Sequence, residues 1–273
     1  MGSERNILKH AARIVVKVGT SILTYENGNA NFTRIDKLAR VLSDLSNQGK
    51  EVILVTSGAI GIGTSKLKLK SKPATVREKQ AVAAVGQCEL MHIYSKFFSE
   101  YGHTVGQILL TRDVVEEDHT RQNVINTFET LLEKEIIPIV NENDSVSIDE
   151  IEYGEKRIFG DNDTLSAIVA VLVGADLLII LSDIDGFYDV DPKRDNCSHK
   201  ISVVRQITPE LEACAGGAGS EQGTGGMVTK LAAAKYACGN GISVVLASGF
   251  EPGVIMDIID GREIGTLFMA QVK

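Results

Sequence analysis

The chain has 273 residues, 44% of them hydrophobic, and a formal net charge of -8. That length supports a sizeable core, while the acidic balance lacks the concentrated basic face that phosphate-backbone binding needs, which excludes nucleic acid as an expected partner. Four scattered cysteines, Cys88, Cys197, Cys214 and Cys238, show no C-x-x-C spacing, no apolar run is long enough for a membrane span, and residues 1–10 lack a signal peptide's apolar centre, so a cytoplasmic protein without disulfides, zinc or a membrane partner is expected.

The first element is the run Ile14, Val15, Val16, Lys17, Val18, β-branched on both faces as in a central strand covered by helices on two sides. Lys17 interrupts it and so belongs at the carboxyl edge of the sheet, where open α/β folds bind ligands, and Gly19 lets the backbone come close to a charged group. Taken alone, Lys17 fits equally well a side chain that snorkels off a strand end. Asn27-Gly28-Asn29 marks a turn. Thr33 and Asp36 resemble a capping box for a helix with Ile35, Leu38, Val41, Leu42 and Leu45 at helical spacing and Gly49 as its C-terminal cap. A second buried strand, 51–56, runs into a glycine-rich turn over 57–63, the beginning of a parallel sheet. Lys66, Lys68, Lys70 and Lys72 read as a solvated loop.

Thr75 and Glu78 open a long helix to about residue 101, followed by a strand over 103–110 and a helix over about 120–135. The strand over 136–140 contains Pro138, which points to an irregular or edge position. Residues 146–159 alternate like a solvent-facing hairpin. A helix over 165–173 and a strand over 176–181 come next, then a loop region with Gly186, Asp189 and Pro192. Thr208 starts a short helix, 215–226 is glycine-rich and expected to be flexible, and 227–238 is helical. A strand over 242–247, a helix over 252–259 and a strand over 265–268 close the series.

Five strand ends carry polar or glycine-rich clusters, at 17–21, 57–63, 141–144, 182–183 and 247–249. In a parallel sheet these ends share one edge, and a small-molecule site is expected there. Neither G-x-x-x-x-G-K-[ST] nor a dinucleotide fingerprint is present. The glycines of 57–63 serve either as a tight connection or as an anion-binding helix start. Gly225 and Gly226 repeat that design, and Lys230, one turn into the next helix, requires an anion to offset the helix dipole. Asp183, Asp185, Asp189 and Asp191 lack a full calcium-loop spacing and read as solvated acids. Glu116, Glu117, Asp118 and His119 read as an acidic helix start, and Cys88 and Cys214 as packing residues.

The segments Lys17-Val18-Gly19-Thr20-Ser21, Val55-Thr56-Ser57-Gly58-Ala59, Val140-Asn141-Glu142-Asn143-Asp144, Phe159-Gly160-Asp161-Asn162-Asp163 and Gly223 through Lys230 resemble, in order, those of the glutamate 5-kinases of the amino acid kinase family. The resemblance spans residues 13–268. It implies a three-layer α/β/α sandwich around a mainly parallel sheet, formed by a single domain over residues 1–273, with the amino acid bound toward the N-terminal lobe and ATP toward the C-terminal lobe. The implied activity is ATP-dependent phosphorylation of the side-chain carboxylate of L-glutamate, the first step of proline biosynthesis. By resemblance, Lys17 and Lys230 act on the transferring phosphoryl group and Asp163 holds both lysines. Ser57, Asn141, Asp144 and Asn162 fall on glutamate positions, and Ser182, Asp183, Thr224, Gly225, Gly226, Met227, Val228, Thr229 and Lys230 on nucleotide positions. ATP and Mg2+ are implied, without an identified metal ligand. So are a homo-oligomer and feedback by proline, while the RNA-modification-type appendage domain of many bacterial members is not expected.

The residues support the same chemistry. A glutamate side chain has a pKa of about 4.3 and needs no general base at neutral pH, so the transfer needs charge neutralisation and alignment, which two lysines and glycine-rich N–H groups supply. N-acetylglutamate kinase, aspartokinase and the uridylate and carbamate kinases are the nearest rivals, and a sensor that binds without turnover is the rival from another class. The carboxylate of Asp144 favours a free ammonium over an acylated nitrogen.

Overall fold

The computed structural model describes residues 4–111, 117–146, 162–190, 198–215 and 226–271. The β-branched runs form β1 (Arg13–Val18), β2 (Glu51–Thr56), β3 (Val105–Leu110), β4 (Ile137–Glu142), β5 (Leu177–Ser182) and β9 (Ser243–Ser248), all mutually parallel. With β8 (Val203–Val204) and β10 (Thr266–Phe268), which is antiparallel to β9, they make an eight-stranded sheet in the order β3-β4-β2-β1-β5-β9-β10-β8. β1 is therefore central, as its apolar character on both faces predicts. Residues 187–188, expected as loop, instead form β6 (Phe187–Tyr188), which pairs with β7 (Lys200–Ile201) in a separate short ribbon. Runs of two residues carry no readable period, and the pairing exists only because distant segments meet.

Alternation along the strands divides the core in two. Ile14, Val16, Leu54, Ile139 and Ile179 pack on one face with α1 (Thr20–Leu23), α2 (Phe32–Asn47), α4 (Val76–Glu100) and α9 (Val254–Ile259). Val15, Ile53, Val55, Val140 and Ile180 pack on the other with α5 (Asp118–Glu133), α6 (Asn162–Leu172) and α8 (Met227–Gly239). The expected α/β/α sandwich follows from strands that bury both faces. Between α6 and α8 in the chain lies α7 (Pro209–Ala215).

Local details depart from the sequence expectation in three places. The cap of α2 is Asn31, whose side chain accepts from the Arg34 N–H; Thr33 lies inside the helix. Pro138 sits in an interior strand, and the ladder from β4 to β2 begins at Ile139, past the missing proline N–H. Cys88 and Cys214 are exposed and do not pack, whereas Cys238 is buried, which pushes its thiol up to about 12. The polar N-terminal stretch is anchored: Glu4–His10 is a 3-10 helix from which buried Arg5 donates to the carbonyls of Ser202, Ile264 and Gly265. By contrast, the Thr75–Glu78 capping box of α4 and the turn at Gly28 stand as expected. Of the expected hairpin over 146–159 only Val146, and of the glycine-rich 215–226 only Ala215 and Gly226, fall within the described residues.

The glycine-rich stretch after β2 is also more than a turn. Gly58 takes a left-handed conformation at φ 100° and caps α3 (Ala59–Lys66), which carries Gly61 and Gly63 inside it. A Cβ on Gly63 would lie 2.1 Å from the Val82 carbonyl oxygen, and one on Gly86 only 1.7 Å from that of Ala59. These two glycines let α3 and α4 touch backbone to backbone, which fixes the start of α3 next to Ser57. Gly86→Ala is accordingly expected to lose about 1–3 kcal/mol by overpacking. The loss should appear as a lower urea midpoint with an unchanged slope; an unshifted midpoint would mean that the helices separate at no cost.

Candidate active site

Side chains alternate along β1, so Lys17 shares the face of Val15 and looks toward the layer of α6 and α8. Both helices begin at the carboxyl edge of the sheet and bring Asp163 and Lys230 to that place. Lys17 Nζ lies 2.5 Å from Asp163 Oδ1, and Lys230 Nζ lies 3.1 Å from Asp163 Oδ2. Thr229 Oγ1 donates to the Gly226 carbonyl at 2.8 Å and lies 3.3 Å from the same Oδ2. Asp163 is fully buried, and the two lysines are 5% and 7% exposed. Lys17 thus does not snorkel into solvent. Burial by itself would raise the Asp163 carboxyl, but the ammonium groups of Lys17 and Lys230 outweigh it and hold the group below its ordinary range. Asp163 in the first turn of α6 suits that helix's dipole, and it offsets the unfavourable position of Lys230 in the first turn of α8. Gly226 caps α8 without a side-chain hydrogen bond.

Neighbouring strand ends complete the edge. Ser57 Oγ, after β2, accepts from Asn162 Nδ2 at 2.8 Å, which leaves the buried Asn162 Oδ1 with no hydrogen-bond partner among the described residues. Asn141, in β4, accepts the Glu142 N–H on its Oδ1 and donates from its Nδ2 to Gln87 Oε1 of α4, at 2.9 and 2.8 Å. Asp144 is half-buried and borders a cavity of about 410 Å3 together with Ala59, Gln87 and Glu142. At the end of β5, buried Ser182 donates to exposed Asp183 at 2.9 Å. Met227 and Thr229 are partly buried, while Val228 is exposed, about 200° around the helix from Lys230. Thr224 and Gly225 lie outside the described residues.

The structure therefore brings together Lys17, Asp163, Thr229 and Lys230 on one side and links Ser57 to Asn162 on the other. It adds Gln87, which the sequence reading passed over; the signal available was an amide next to Gly86, at the close approach of α3 and α4. Of the loop acids, Asp183 and Asp185 are exposed as expected and Asp189 is half-buried, while Asp191 lies outside the described residues; Asp185 accepts from Lys200 and Tyr188, and Asp189 from the His199 N–H. Asp118 opens α5 as expected, with Glu117 as the cap residue. Among the described residues, no three His, Cys, Asp or Glu side chains converge as a metal-binding group.

Residues 12–248 match the amino acid kinase family. The chain belongs to that family. It is 64% identical over 267 residues to a glutamate 5-kinase of Clostridium perfringens, covering 98% of each chain. It is 59% identical to a glutamate 5-kinase of Listeria monocytogenes and 55% identical to one of Enterococcus faecalis, covering at least 96% of each. Among solved structures, a UMP kinase from Bacillus anthracis superposes with a TM-score of 0.60 at 16% identity, over 96% of this chain and 97% of that one. At that identity the likeness shows the fold alone, and the kinase shares with it the mainly parallel sheet between helices.

Proposed function

We propose that this kinase transfers the γ-phosphoryl group of ATP to the side-chain carboxylate of L-glutamate, giving L-glutamyl 5-phosphate for proline biosynthesis. The observation that carries this reading is the meeting of two buried lysines from separate elements on one buried aspartate at the carboxyl edge of the sheet. Full-length similarity to glutamate 5-kinases supports the choice of acceptor. The acceptor carboxylate is ionised at neutral pH and attacks without a general base. Lys17 and Lys230 draw charge from the phosphoryl oxygens as it develops, and Asp163 holds them at fixed positions before the substrate arrives. The N–H groups at the start of α8, with Thr224, Gly225, Gly226, Met227, Val228 and Thr229, take the nucleotide phosphates, and Ser182 and Asp183 border the nucleotide. Ser57, Asn141, Asp144 and Asn162 hold glutamate.

Mg2+ fits this donor set only as a companion of the nucleotide. Asp163 is engaged by two lysines, so a bound Mg2+ would depend on the nucleotide rather than on this carboxylate and would supply charge neutralisation at the phosphates. In the same reading the chain is one catalytic domain of a cytoplasmic homo-oligomer, subject to feedback by proline, with neither nucleic acid nor membrane as a partner. Among the described residues, no helix is long and apolar enough to cross a membrane.

Glutamate-dependent release of ADP in a coupled assay tests the activity, and N-acetylglutamate tests the choice of acceptor. The carboxylate of Asp144 meets the substrate ammonium, a contact of about 1.5–3 kcal/mol for a hydrogen bond to a charged group, taken at the lower end for a half-buried side chain. Free glutamate should therefore outcompete the acetylated amino acid. Asp144→Asn should raise the KM for glutamate roughly tenfold while leaving the KM for ATP and the melting temperature in place. Equal use of both amino acids by the wild type would defeat this assignment.

A further inference from the structure

The Gln87 amide is oriented by a series of donors that begins on the main chain. The Glu142 N–H donates to Asn141 Oδ1, which leaves the Asn141 amide nitrogen to donate to Gln87 Oε1. Turning either amide over would set donor against donor, so the network assigns Gln87 Nε2 as a donor that looks away from Asn141. Nε2 is buried and meets no acceptor among the described residues. An unmade buried hydrogen bond is costly, and native structures keep such groups where something else completes them.

The surroundings say what that is. Gln87 borders the cavity that Asp144 also borders. A second orphan stands at the next strand end: Asn162, bound to Ser57 after β2, the strand beside β4, keeps a buried acceptor, Oδ1, without a partner among the described residues, the opposite polarity to Gln87 Nε2. A free donor and a free acceptor match the two ends of a zwitterionic amino-acid head, the donor taking the carboxylate and the acceptor the ammonium. Position selects between the two carboxylates of glutamate. β4, which carries Asn141, stands two strand spacings, roughly 10 Å, from β1 and its Lys17. The acceptor carboxylate has to lie by the lysines, so the carboxylate near β4 is the one on the α-carbon.

We infer that Gln87 is a substrate-binding residue whose side-chain N–H groups donate to the α-carboxylate of the amino-acid substrate. The inference rests on glutamate being that substrate. It differs from a purely structural role, in which Gln87 only steadies Asn141 through its Oε1.

Two substitutions separate these roles. Gln87→Met removes donor and acceptor at similar volume, whereas Gln87→Glu keeps an oxygen for Asn141 and puts a carboxylate where the donor stood. Steady-state kinetics with L-glutamate and ATP should show the KM for glutamate raised about ten- to a hundredfold in the methionine variant, and further still in the glutamate variant, where two carboxylates oppose each other. The KM for ATP should stay at its wild-type value in both, and kcat should change far less than the KM for glutamate. A glutamate variant at or below the methionine variant's KM, or a KM unshifted in both, would overturn the inference. Should the methionine variant fail to fold, the glutamate variant decides: a raised KM supports the contact and an unchanged one removes it. Wild-type protein without glutamate-dependent ADP release would instead overturn the substrate reading itself.

Discussion

Asp163→Asn is expected to lower the melting temperature by roughly 6–20 °C, because removing one partner of a buried ion pair costs about 3–5 kcal/mol and each kcal/mol is worth a few degrees in a domain near this size. The substitution keeps the shape and an oxygen of the side chain but deletes the charge that Lys17 and Lys230 share at 2.5 and 3.1 Å. Two ammonium groups, each less than a tenth exposed, would then face one another across the edge of the sheet. The same loss frees both lysines from their fixed positions, so turnover should fall together with stability. An anion that binds between the lysines should restore part of the lost stability, and melting curves with and without ATP or inorganic phosphate would show it. A variant that melts within a degree or two of the wild type would mean that the cluster is not an electrostatic unit.

Lys230→Met is expected to behave differently, losing activity while keeping its fold. Asp163 retains Lys17 as a partner, and the methionine fills most of the lysine stem's volume, so the melting temperature should move little. Transition-state charge on the phosphoryl group would lose a contact of about 2.7–4 kcal/mol, a fall of roughly a hundred- to a thousandfold in kcat. The KM for glutamate should change only a few-fold, because the ammonium acts on the group in transit and not on the amino acid. Initial rates over a range of glutamate at saturating ATP check both numbers, and a variant within a few-fold of wild-type turnover would remove Lys230 from the transfer step. Together the two variants separate the holder of the charges from one of the charges held.

Much of the candidate site was legible because its parts stand at strand ends and helix starts. A lysine that breaks the β-branched run Ile14 to Val18 has to leave the sheet at its edge, and a glycine pair ahead of an apolar helix marks a backbone able to meet an anion. The residue roles came from the resemblance of five short segments to a known family, not from spacing. Gln87 escaped because a helix-borne amide among alanines and valines carries no periodic signal of its own. Its meaning depends on Asn141, which is 54 residues away.

What the sequence by itself determined is local and periodic: the apolar strands, the helices at 3.6-residue spacing, the capping box at Thr75 and Glu78, and the polar character of each strand's end. Those patterns arise from interactions between near neighbours, and any chain segment displays them. Only the tertiary structure decided that Thr33 yields its capping position to Asn31, that Pro138 lies in an interior strand, and that residues 187–188 pair at all. It also decided that Lys17, Asp163 and Lys230, on three separate elements, close into one buried cluster. The physical reason is that a desolvated charge is stable only beside its counter-charge, and the order of strands in the sheet, which no local pattern encodes, sets which charges become neighbours.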